Sequence, residues 1–346
     1  MTFRVVASPG EWEDLLNGFS DILHDIYFGF EWHALFSTGT NARPAAFFFE
    51  GKTGTKFFYP FLLRPLPESI SDTPASVCES AYGYGGPLAE NPDPDDLAQA
   101  EQAFCAWARA NDVIAEFVRF HPLLDNHRWF RHEIAIEENR PTVTVPLDAP
   151  FELLCERFTP ARRRNIRKAD KAGMIIRQGE DFAGFWRLYE MTMNRRSAAG
   201  FYHFSPEHRR ELERLVGNHG FLLEARLDGR LAAAAIFLQS AHFLHYHLGG
   251  SDTDLLSFSP NDRLMAEAVK LGRESGLEIL HLGGGVTTAA DDTLLRFKTG
   301  FSSSRRMFCI GKRIHDPVRH HQMLERWQGI TGASPKLFLQ YLILPE

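Results

Sequence analysis

The same order of predicted elements occurs twice along this chain, and that repetition restricts the folds open to it. Two apolar runs around a Gly-Lys-Thr-Gly turn predict a β-hairpin over residues 45–66. A second hairpin, turning at Asp228-Gly229, is predicted within residues 221–251, with a third strand from His242. A helix and a further strand follow each hairpin: 95–110 and 113–120, then 260–275 and 277–282. The pattern predicts a mixed α/β fold built from two related units in tandem.

Chain length and proline content set the predicted boundaries of these units. At 346 residues the chain is longer than most single domains. Three prolines within residues 137–150 predict a linker in that segment. We therefore predict an N-terminal unit at 1–145, a C-terminal unit at 146–312 and a tail at 313–346. Because the tail ends in an apolar run, we expect it to pack back on the body, with the first unit as the candidate surface.

Composition restricts the class of protein and its compartment. The net charge of −6 argues against a protein that coats nucleic acid through bulk electrostatics, because such proteins are basic. The four cysteines form no Cys-x-x-Cys pair, so neither a disulfide framework nor a metal site is predicted. The first residues lack the basic start and apolar core of a signal peptide, and no apolar run reaches membrane-spanning length. We predict a cytoplasmic protein; membrane-surface contact and oligomeric state stay open.

The most polarised stretch of the sequence is residues 157–177. It carries eight basic residues against one acid, Asp170. Like charges three or four residues apart on a helix repel one another unless a partner neutralises them. The stretch therefore indicates a groove for a polyanion such as phosphates, and the predicted binding residues are Arg163, Arg164, Arg167 and Lys168. The alternative is an ordinary solvated helix face with Ile166 and Ala169 turned toward a core.

Two further clusters are candidates for chemistry. Arg195 and Arg196 precede a small-residue loop and Tyr202, an arrangement that suits a phosphate or carboxylate, although helix ends also favour basic residues. Lys298 lies between two phenylalanines after the glycine run at residues 283–285. A lysine in apolar surroundings can stabilise a developing oxyanion. The alternative for Lys298 is a surface lysine whose stem covers apolar surface.

Other motifs are absent or incomplete. The strand residues His242, His245 and His247 have no carboxylate or cysteine spacing that would complete a metal site, so ordinary strand histidines are predicted. The P-loop, the dinucleotide-binding glycine motif and the Gly-x-Ser-x-Gly motif do not occur. Their absence argues against kinase, dehydrogenase and hydrolase functions.

An ordered series of short motifs spans nearly the whole sequence. The first half contains Tyr84-Gly85-Gly86-Pro87 and Arg119-Phe120-His121-Pro122. The second half contains Arg163–Ala169, Thr192–Arg195, His247–Ser251, Ser259–Asn261 and the Phe-Lys pair Phe297-Lys298 followed by Phe301. In this order the motifs resemble the Fem family of non-ribosomal peptidyltransferases.

The resemblance implies two tandem GNAT-like (acyl-CoA N-acyltransferase) domains. It also implies transfer of an acyl or aminoacyl group to a primary amine, in better known members from aminoacyl-tRNA to a peptidoglycan precursor. The family's Phe-Lys motif places a lysine at the reaction centre, here Lys298 with Phe297 beside it. Positions that hold precursor phosphates in the family fall near four residues of this chain: Arg195, Arg196, Tyr202 and Tyr246.

The sequence departs from the family pattern at several points. His121-Pro122 stands where peptidoglycan members usually have Asp-Pro, and Trp32 is followed by uncharged residues where a lysine is usual. The acetyltransferase phosphate loop is also absent; the nearest segment, residues 226–231, lies in the second predicted hairpin. That loop's backbone N–H groups cradle the CoA pyrophosphate, so its absence argues against acetyl-CoA.

The sequence thus predicts an N-acyltransferase of the Fem type. The predicted donor is an activated ester, aminoacyl-tRNA, the acceptor is an amine-bearing envelope precursor, and no separate cofactor is needed. Lys298 would stabilise charge on the donor, with His121 as a candidate base. One alternative keeps the fold but uses acyl-CoA or an acyl carrier protein and an amino sugar of a surface polysaccharide or lipid. Another is a non-catalytic binding module.

Overall fold

The computed structural model describes residues 2–130, 134–195, 204–287, 289 and 291–344. The chain divides into two compact units. Unit 1 comprises residues up to Asn139 together with those from Phe308 onward, and unit 2 comprises Arg140–Met307. Within the described ranges, no helix has the length and apolar character needed to cross a membrane.

Unit 1 is a mixed sheet packed against helices. Its elements are β1 (Thr2–Val6), α1 (Pro9–Leu16), α2 (Phe30–Ser37), β2 (Arg43–Glu50), β3 (Lys56–Pro65), β4 (Ser76–Glu79), β5 (Leu88–Glu90), α3 (Pro94–Ala110) and β6 (Val113–Arg119). The strand order is β1-β2-β3-β4-β6 followed by the last strand of the chain, with β5 beside β3. Only β4 and β6 run parallel to each other among these pairs. Aromatic side chains fill the interior, with Phe47, Phe58 and Phe104 fully buried.

Unit 2 repeats this architecture with different residues. Strand β7 (Ala135–Pro146) enters it at residue 140, and its further elements are α4 (Phe151–Glu156), α5 (Pro160–Lys171), β8 (Ile175–Gly179), α6 (Phe182–Arg195), α7 (Pro206–His219), β9 (Gly220–Leu227), β10 (Arg230–Gln239), β11 (Phe243–Ser251), α8 (Pro260–Glu274), β12 (Ile279–Gly283) and α9 (Thr293–Thr299). The strand order is β7-β12-β11-β10-β9-β8, and only β11 and β12 are parallel neighbours. Helix α8 packs its apolar stripe, including Leu264 and Ala268, on the central strands.

The chain returns to unit 1 through β13 (Arg305–Ile314), which pairs with β6, and α10 (Pro317–Thr331). Met323 and Trp327 of α10 join a buried cluster with Val77 and Ile114 of the unit 1 sheet. Tyr341 is fully buried in the same cluster, so part of the apolar end of the tail packs on the unit 1 sheet, while Leu337 and Ile343 stay exposed. Burying each of the large side chains in this cluster contributes roughly 1.5–3 kcal/mol to the stability of the folded state.

The sequence located most elements but not all local details. The hairpin at Asp228-Gly229 has both turn residues at positive φ, as an Asp-Gly turn requires. The linker predicted at residues 137–150 contains the boundary between the units, at Asn139–Arg140, but it is not a loop, because most of that segment forms strand β7. Its Thr-Val-Thr-Val alternation outweighs the prolines, which lie near strand ends or within an irregular strand. Ser259 precedes α8 in a left-handed conformation, and its side chain makes no capping bond.

A group of buried ionic side chains joins the sheet of unit 1 to α3. Arg313 on β13 pairs with Glu101 of α3 and lies 3.4 Å from Glu116 of β6, and its guanidinium donates to Cys105 Sγ at 3.0 Å. His315 Nε2 lies 3.4 Å from the other Glu116 oxygen. Burial lowers the pKa of Arg313, but the surrounding anionic groups, Glu116 first, outweigh it and raise that pKa above its ordinary value. Arg313 therefore holds two buried carboxylates together.

Candidate active site

Two parallel strands separate in the middle of the unit 2 sheet. Strand β11 pairs with β12 only from Phe243 to His245, although β11 continues to Ser251. Beyond His281, β12 continues its pairing with β7, with a shift in register. The carboxyl ends of the two strands therefore diverge, and in α/β sheets ligands bind in the crevice at such ends. His247 adds a bulge in β11, because Leu248 and Tyr246 pair with consecutive residues of β10.

Lys298 lies at this divergence. Its side chain is 5% exposed and is carried by α9. The ammonium donates a hydrogen bond of 2.7 Å to the carbonyl of Gly284, directly after β12. The same nitrogen lies 5.7 Å from the ring centre of Tyr246 on β11. Lys298 thus places a sheltered positive charge between the ends of the two separating strands.

Tyr246 is held in place by the neighbouring strand β10 and by its own strand. Its ring packs 5.6 Å from that of Phe237 on β10. A Cβ atom at Gly249 would collide with the Tyr246 hydroxyl, so only glycine leaves room for the tyrosine to lie along the strand. This close approach explains why glycine stands at this point of the His247–Ser251 motif.

The loop between β12 and α9 is fixed by Asp292. Its carboxylate accepts hydrogen bonds of 2.8 Å each from the backbone N–H groups of Val286, Thr287 and Leu295. Burial raises the pKa of Asp292, but these bonds outweigh it and hold the pKa below its ordinary value. From the other side, Arg140 donates to the carbonyls of Gly285 and Val286 at 3.2 and 2.9 Å. Asp292 and Arg140 together fix the loop that carries the Gly284 carbonyl.

Arg162 connects three helices beside the lysine. Its guanidinium lies 4.6 Å from the ring centre of Phe297, the neighbour of Lys298 on α9. It also pairs with Asp262 of α8 at 2.7 Å, and Asn165 donates to the same carboxylate at 3.1 Å. The first turn of α8 therefore contains a buried negative charge.

Comparison with known proteins gives the same fold. Residues 161–299 match a family model described as an acetyltransferase (GNAT) domain. The crystal structure of FemX aligns with a TM-score of 0.67, 15% identity, and 91% of this chain and 97% of that chain covered. This chain has a Fem-like GNAT fold. The predicted mixed α/β fold and the resemblance to the Fem family are confirmed.

Two other solved structures share this Fem-like GNAT fold. One is the C-terminal domain of a protein described as a lysylphosphatidylglycerol synthetase from Agrobacterium fabrum, with a TM-score of 0.57, 14% identity and 92% and 96% coverage. The other is a tandem GNAT protein from the clavulanic acid biosynthesis pathway, with a TM-score of 0.50, 10% identity and 91% and 99% coverage. None of the curated protein sequences compared matches this chain. The acetyltransferase domain and the FemX fold support an acyltransferase.

The structure brings only some predicted site residues together. Lys298, Phe297 and Tyr246 meet at the divergence of β11 and β12. The four basic residues predicted to bind phosphates are exposed on α5: Arg163, Arg164, Arg167 and Lys168. Arg195, at the end of α6, is exposed and donates to the Thr253 hydroxyl at 2.8 Å. Arg196 and Tyr202 lie outside the described residues.

His121 belongs to unit 1 and follows strand β6 by two residues. It has no exposed surface, its Nε2 lies 3.5 Å from a carboxylate oxygen of Asp25, and the rings of Tyr27 and Tyr84 pack against it. Its role as a base stays a prediction. In unit 2, sequence reasoning did not identify the close pair formed by His245 and His281, whose Nδ1 atoms are 3.3 Å apart on neighbouring strands.

Sequence reasoning also missed Asp292 and Arg140. An aspartate directly before a helix is a capping signal, so the capping role of Asp292 could have been predicted from the sequence. Arg140 carries no such signal, since its partner carbonyls are about 145 residues away in the chain.

Replacing Asp292 with Ala is expected to lower the free energy of unfolding by about 1–3 kcal/mol, because a cap and two loop N–H bonds are lost together. Turnover should fall as well, since Gly284 no longer holds Lys298 in one place. Because the pKa of Asp292 is lowered in the folded state, the difference from wild type should be full at neutral pH. It should shrink in acid, below the pH at which an ordinary aspartate is protonated, because the wild-type carboxylate then also takes up a proton.

The matched control is Asp291→Ala, which removes an exposed carboxylate from the adjacent position. Denaturant unfolding of both variants at neutral and acidic pH measures the effect. Equal stabilities for the two variants would show that Asp292 does not organise the loop.

Proposed function

We propose that this chain transfers an aminoacyl group from aminoacyl-tRNA to a primary amine of a cell-envelope precursor, in the cytoplasm. The observation that carries the proposal is the sheltered Lys298 ammonium between the separating ends of β11 and β12. The Fem-like fold supports the proposal. So does the similarity to the C-terminal domain of the protein described as a lysylphosphatidylglycerol synthetase, since lysylphosphatidylglycerol is a lipid that carries an amino acid. Two tandem GNAT-like units, unit 1 and unit 2, complete the proposed organisation.

The proposed reaction is an exchange of bonds at the ester carbonyl. The acceptor nitrogen forms a bond to the carbonyl carbon, and the bond from that carbon to the carrier oxygen breaks. A proton leaves the amine and a proton reaches the departing oxygen, so the reaction needs no covalent enzyme intermediate. Lys298 stabilises the negative charge that develops on the donor oxygens, which a fixed cation in a sheltered site does better than water. Holding the two substrates side by side supplies much of the remaining acceleration.

The start of α8 supports an RNA carrier over CoA. A helix N-terminus attracts a pyrophosphate through its free N–H groups. Here Pro260 removes one N–H, and the buried Asp262 carboxylate adds negative charge in the first turn, where it is paired with Arg162. The Arg226–Leu231 segment closest to the phosphate-loop pattern spans the β9–β10 turn and does not open a helix. The missing N–H and the added carboxylate both make this helix start a poorer site for a pyrophosphate.

A comparison of donors tests the proposal. Purified protein should transfer a radiolabelled amino acid from a mixture of aminoacyl-tRNAs to an amine acceptor in a cell-envelope extract. Acetyl-CoA and longer acyl-CoA esters should give no product and should not raise the melting temperature. Deacylated tRNA should raise it, because a ligand of the folded state stabilises that state.

The matched control uses the Lys298→Met variant, which should bind tRNA but form little product. Stabilisation and acyl transfer by CoA esters alone would contradict the tRNA donor. Product formation by any donor would exclude a non-catalytic binding module.

A further inference from the structure

The outward face of α5 carries a stripe of five basic side chains. They lie three and four residues apart along the helix, and all are exposed: Arg163, Arg164, Arg167, Lys168 and Lys171. An α-helix rises about 1.5 Å per residue, so charges four residues apart are separated by roughly 6 Å along the axis. We call these five residues the α5 stripe.

The charges of the α5 stripe are not neutralised within the part of the chain that the structure describes. The acid on this helix, Asp170, pairs with Arg263 of α8 at 2.7 Å. The nearby Asp262 is already bound to Arg162 and Asn165. No member of the stripe contacts a carboxylate of a described residue. Five uncompensated like charges on one helix face indicate an anionic partner.

The composition of the face distinguishes between kinds of anionic partner. The structure describes every residue of α5, and its larger apolar side chain, Ile166, packs toward the core. A helix that lies in a membrane surface presents leucine or aromatic side chains to the lipid, and proteins that hold single-stranded nucleic acid stack bases on aromatic rings. The stripe offers only cations. That is the chemistry for sequence-independent contacts to the phosphates of a base-paired strand.

The start of the stripe lies close to the reaction centre. Arg162 immediately precedes the stripe, and its guanidinium packs on Phe297, the residue before Lys298. In addition, the backbone N–H of Thr159 donates to the carbonyl of Gly300 at 2.8 Å, which ties the beginning of α5 to the end of α9. A strand that follows the stripe toward its first residues therefore ends next to α9.

We propose that the α5 stripe docks the sugar–phosphate backbone of the base-paired stem of the donor RNA, with the acylated end directed toward Lys298. This assignment rests on the proposed function for the identity of the donor. The stripe orients the carrier and takes no part in the bond exchange. Arg162, which sequence analysis grouped with the other basic residues, instead packs helices together.

The experiment replaces four residues of the stripe by glutamine: Arg163, Arg164, Arg167 and Lys168. Glutamine has nearly the helix propensity of arginine and lysine, so α5 should be retained. Binding of deacylated tRNA is measured across a range of salt concentrations. Four phosphate contacts on a duplex contribute a slope of about −3.6 in log affinity against log salt, or roughly 150-fold between 50 and 200 mM salt. The variant should lose that slope, so its loss of affinity relative to wild type should be roughly 150-fold larger at 50 mM than at 200 mM salt.

The control variant combines Arg157→Gln with Lys270→Gln. About half of each side chain is exposed, and each cation already has a carboxylate partner. Arg157, which follows α4, pairs with Asp148 at 2.5 Å, and Lys270 on α8 pairs with Glu274 at 3.9 Å. The control should bind tRNA like wild type and keep the wild-type salt slope. Circular dichroism of both variants confirms that each is folded.

The outcomes distinguish a failure of the docking proposal from a failure of the proposed donor. If the fourfold variant keeps the wild-type affinity and salt slope and still transfers the amino acid, the α5 stripe does not dock the RNA, but aminoacyl-tRNA remains the proposed donor. A wild-type protein that binds no tRNA would overturn both. Vesicles of phosphatidylglycerol and phosphatidylcholine are the second probe. Binding to these vesicles through the stripe, without tRNA binding, would assign the face to a membrane and overturn the proposal.

Discussion

Replacing Lys298 with Met is expected to lower kcat for the proposed aminoacyl transfer by roughly 10²- to 10³-fold, the loss typical when one preorganised charge or donor is removed. Methionine fills a similar volume without the charge. Donor affinity should change little, because Lys298 is 5% exposed and its ammonium contacts groups of the protein itself, the Gly284 carbonyl and the Tyr246 ring. Single-turnover measurements with saturating aminoacyl-tRNA separate the chemical step from binding.

Arg296→Met is the matched control for this prediction. Arg296 is on the same short helix as Lys298, and its side chain is exposed. It should leave kcat near the wild-type value. If Lys298→Met and Arg296→Met behave alike, the charge between β11 and β12 has no role in the reaction.

Replacing Arg313 with Met is expected to lower the free energy of unfolding of unit 1 by about 3–5 kcal/mol, the cost of leaving a buried charge without its partner. Glu101 and Glu116 are at most 1% exposed, and Arg313 contacts both. Without the guanidinium, the two carboxylates must take up protons or draw water into the core. The melting temperature should fall by roughly 10 °C.

Lys312→Met provides the comparison, because Lys312 precedes Arg313 on β13 and pairs with Glu137 at 2.7 Å nearer the surface. Partly exposed pairs of this kind contribute about 0–1 kcal/mol. Calorimetry or denaturant unfolding of the two variants measures the difference. A loss no larger for Arg313→Met than for Lys312→Met would mean that the buried carboxylates do not depend on the arginine.

Local sequence patterns predicted the elements whose signals lie within a few residues. The Asp-Gly turn and the helices predicted at residues 95–110 and 260–275, which are α3 and α8, are all present. Segments with conflicting signals were predicted less well. In β7 the prolines indicated a linker, while the alternation of Thr and Val and pairing with β12 produced a strand.

The candidate site was predicted only as far as residue type allowed. Lys298 and Tyr246 were identified from motifs, and the structure places them at the same point. The basic stretch gave no indication that Arg162 turns inward to Asp262 while its neighbours stay exposed, because that difference depends on how α8 packs. The Gly284 carbonyl and Arg140 were out of reach for the same reason: both act through contacts between distant parts of the chain.

The order in which unit 1 acquires its parts affects how the protein is made. Its sheet requires β13, and its buried cluster requires α10, yet both leave the ribosome only after all of unit 2 has emerged. Unit 2 is continuous in sequence and can close its core while translation continues. Until the last segment is made, the edge of β6 and the apolar surface around Val77 and Ile114 stay uncovered in the nascent N-terminal part. Open strand edges and exposed apolar surface promote aggregation. A chain truncated shortly after residue 307 should therefore fold unit 2 but leave unit 1 without the strand and helix that complete its sheet and its buried cluster.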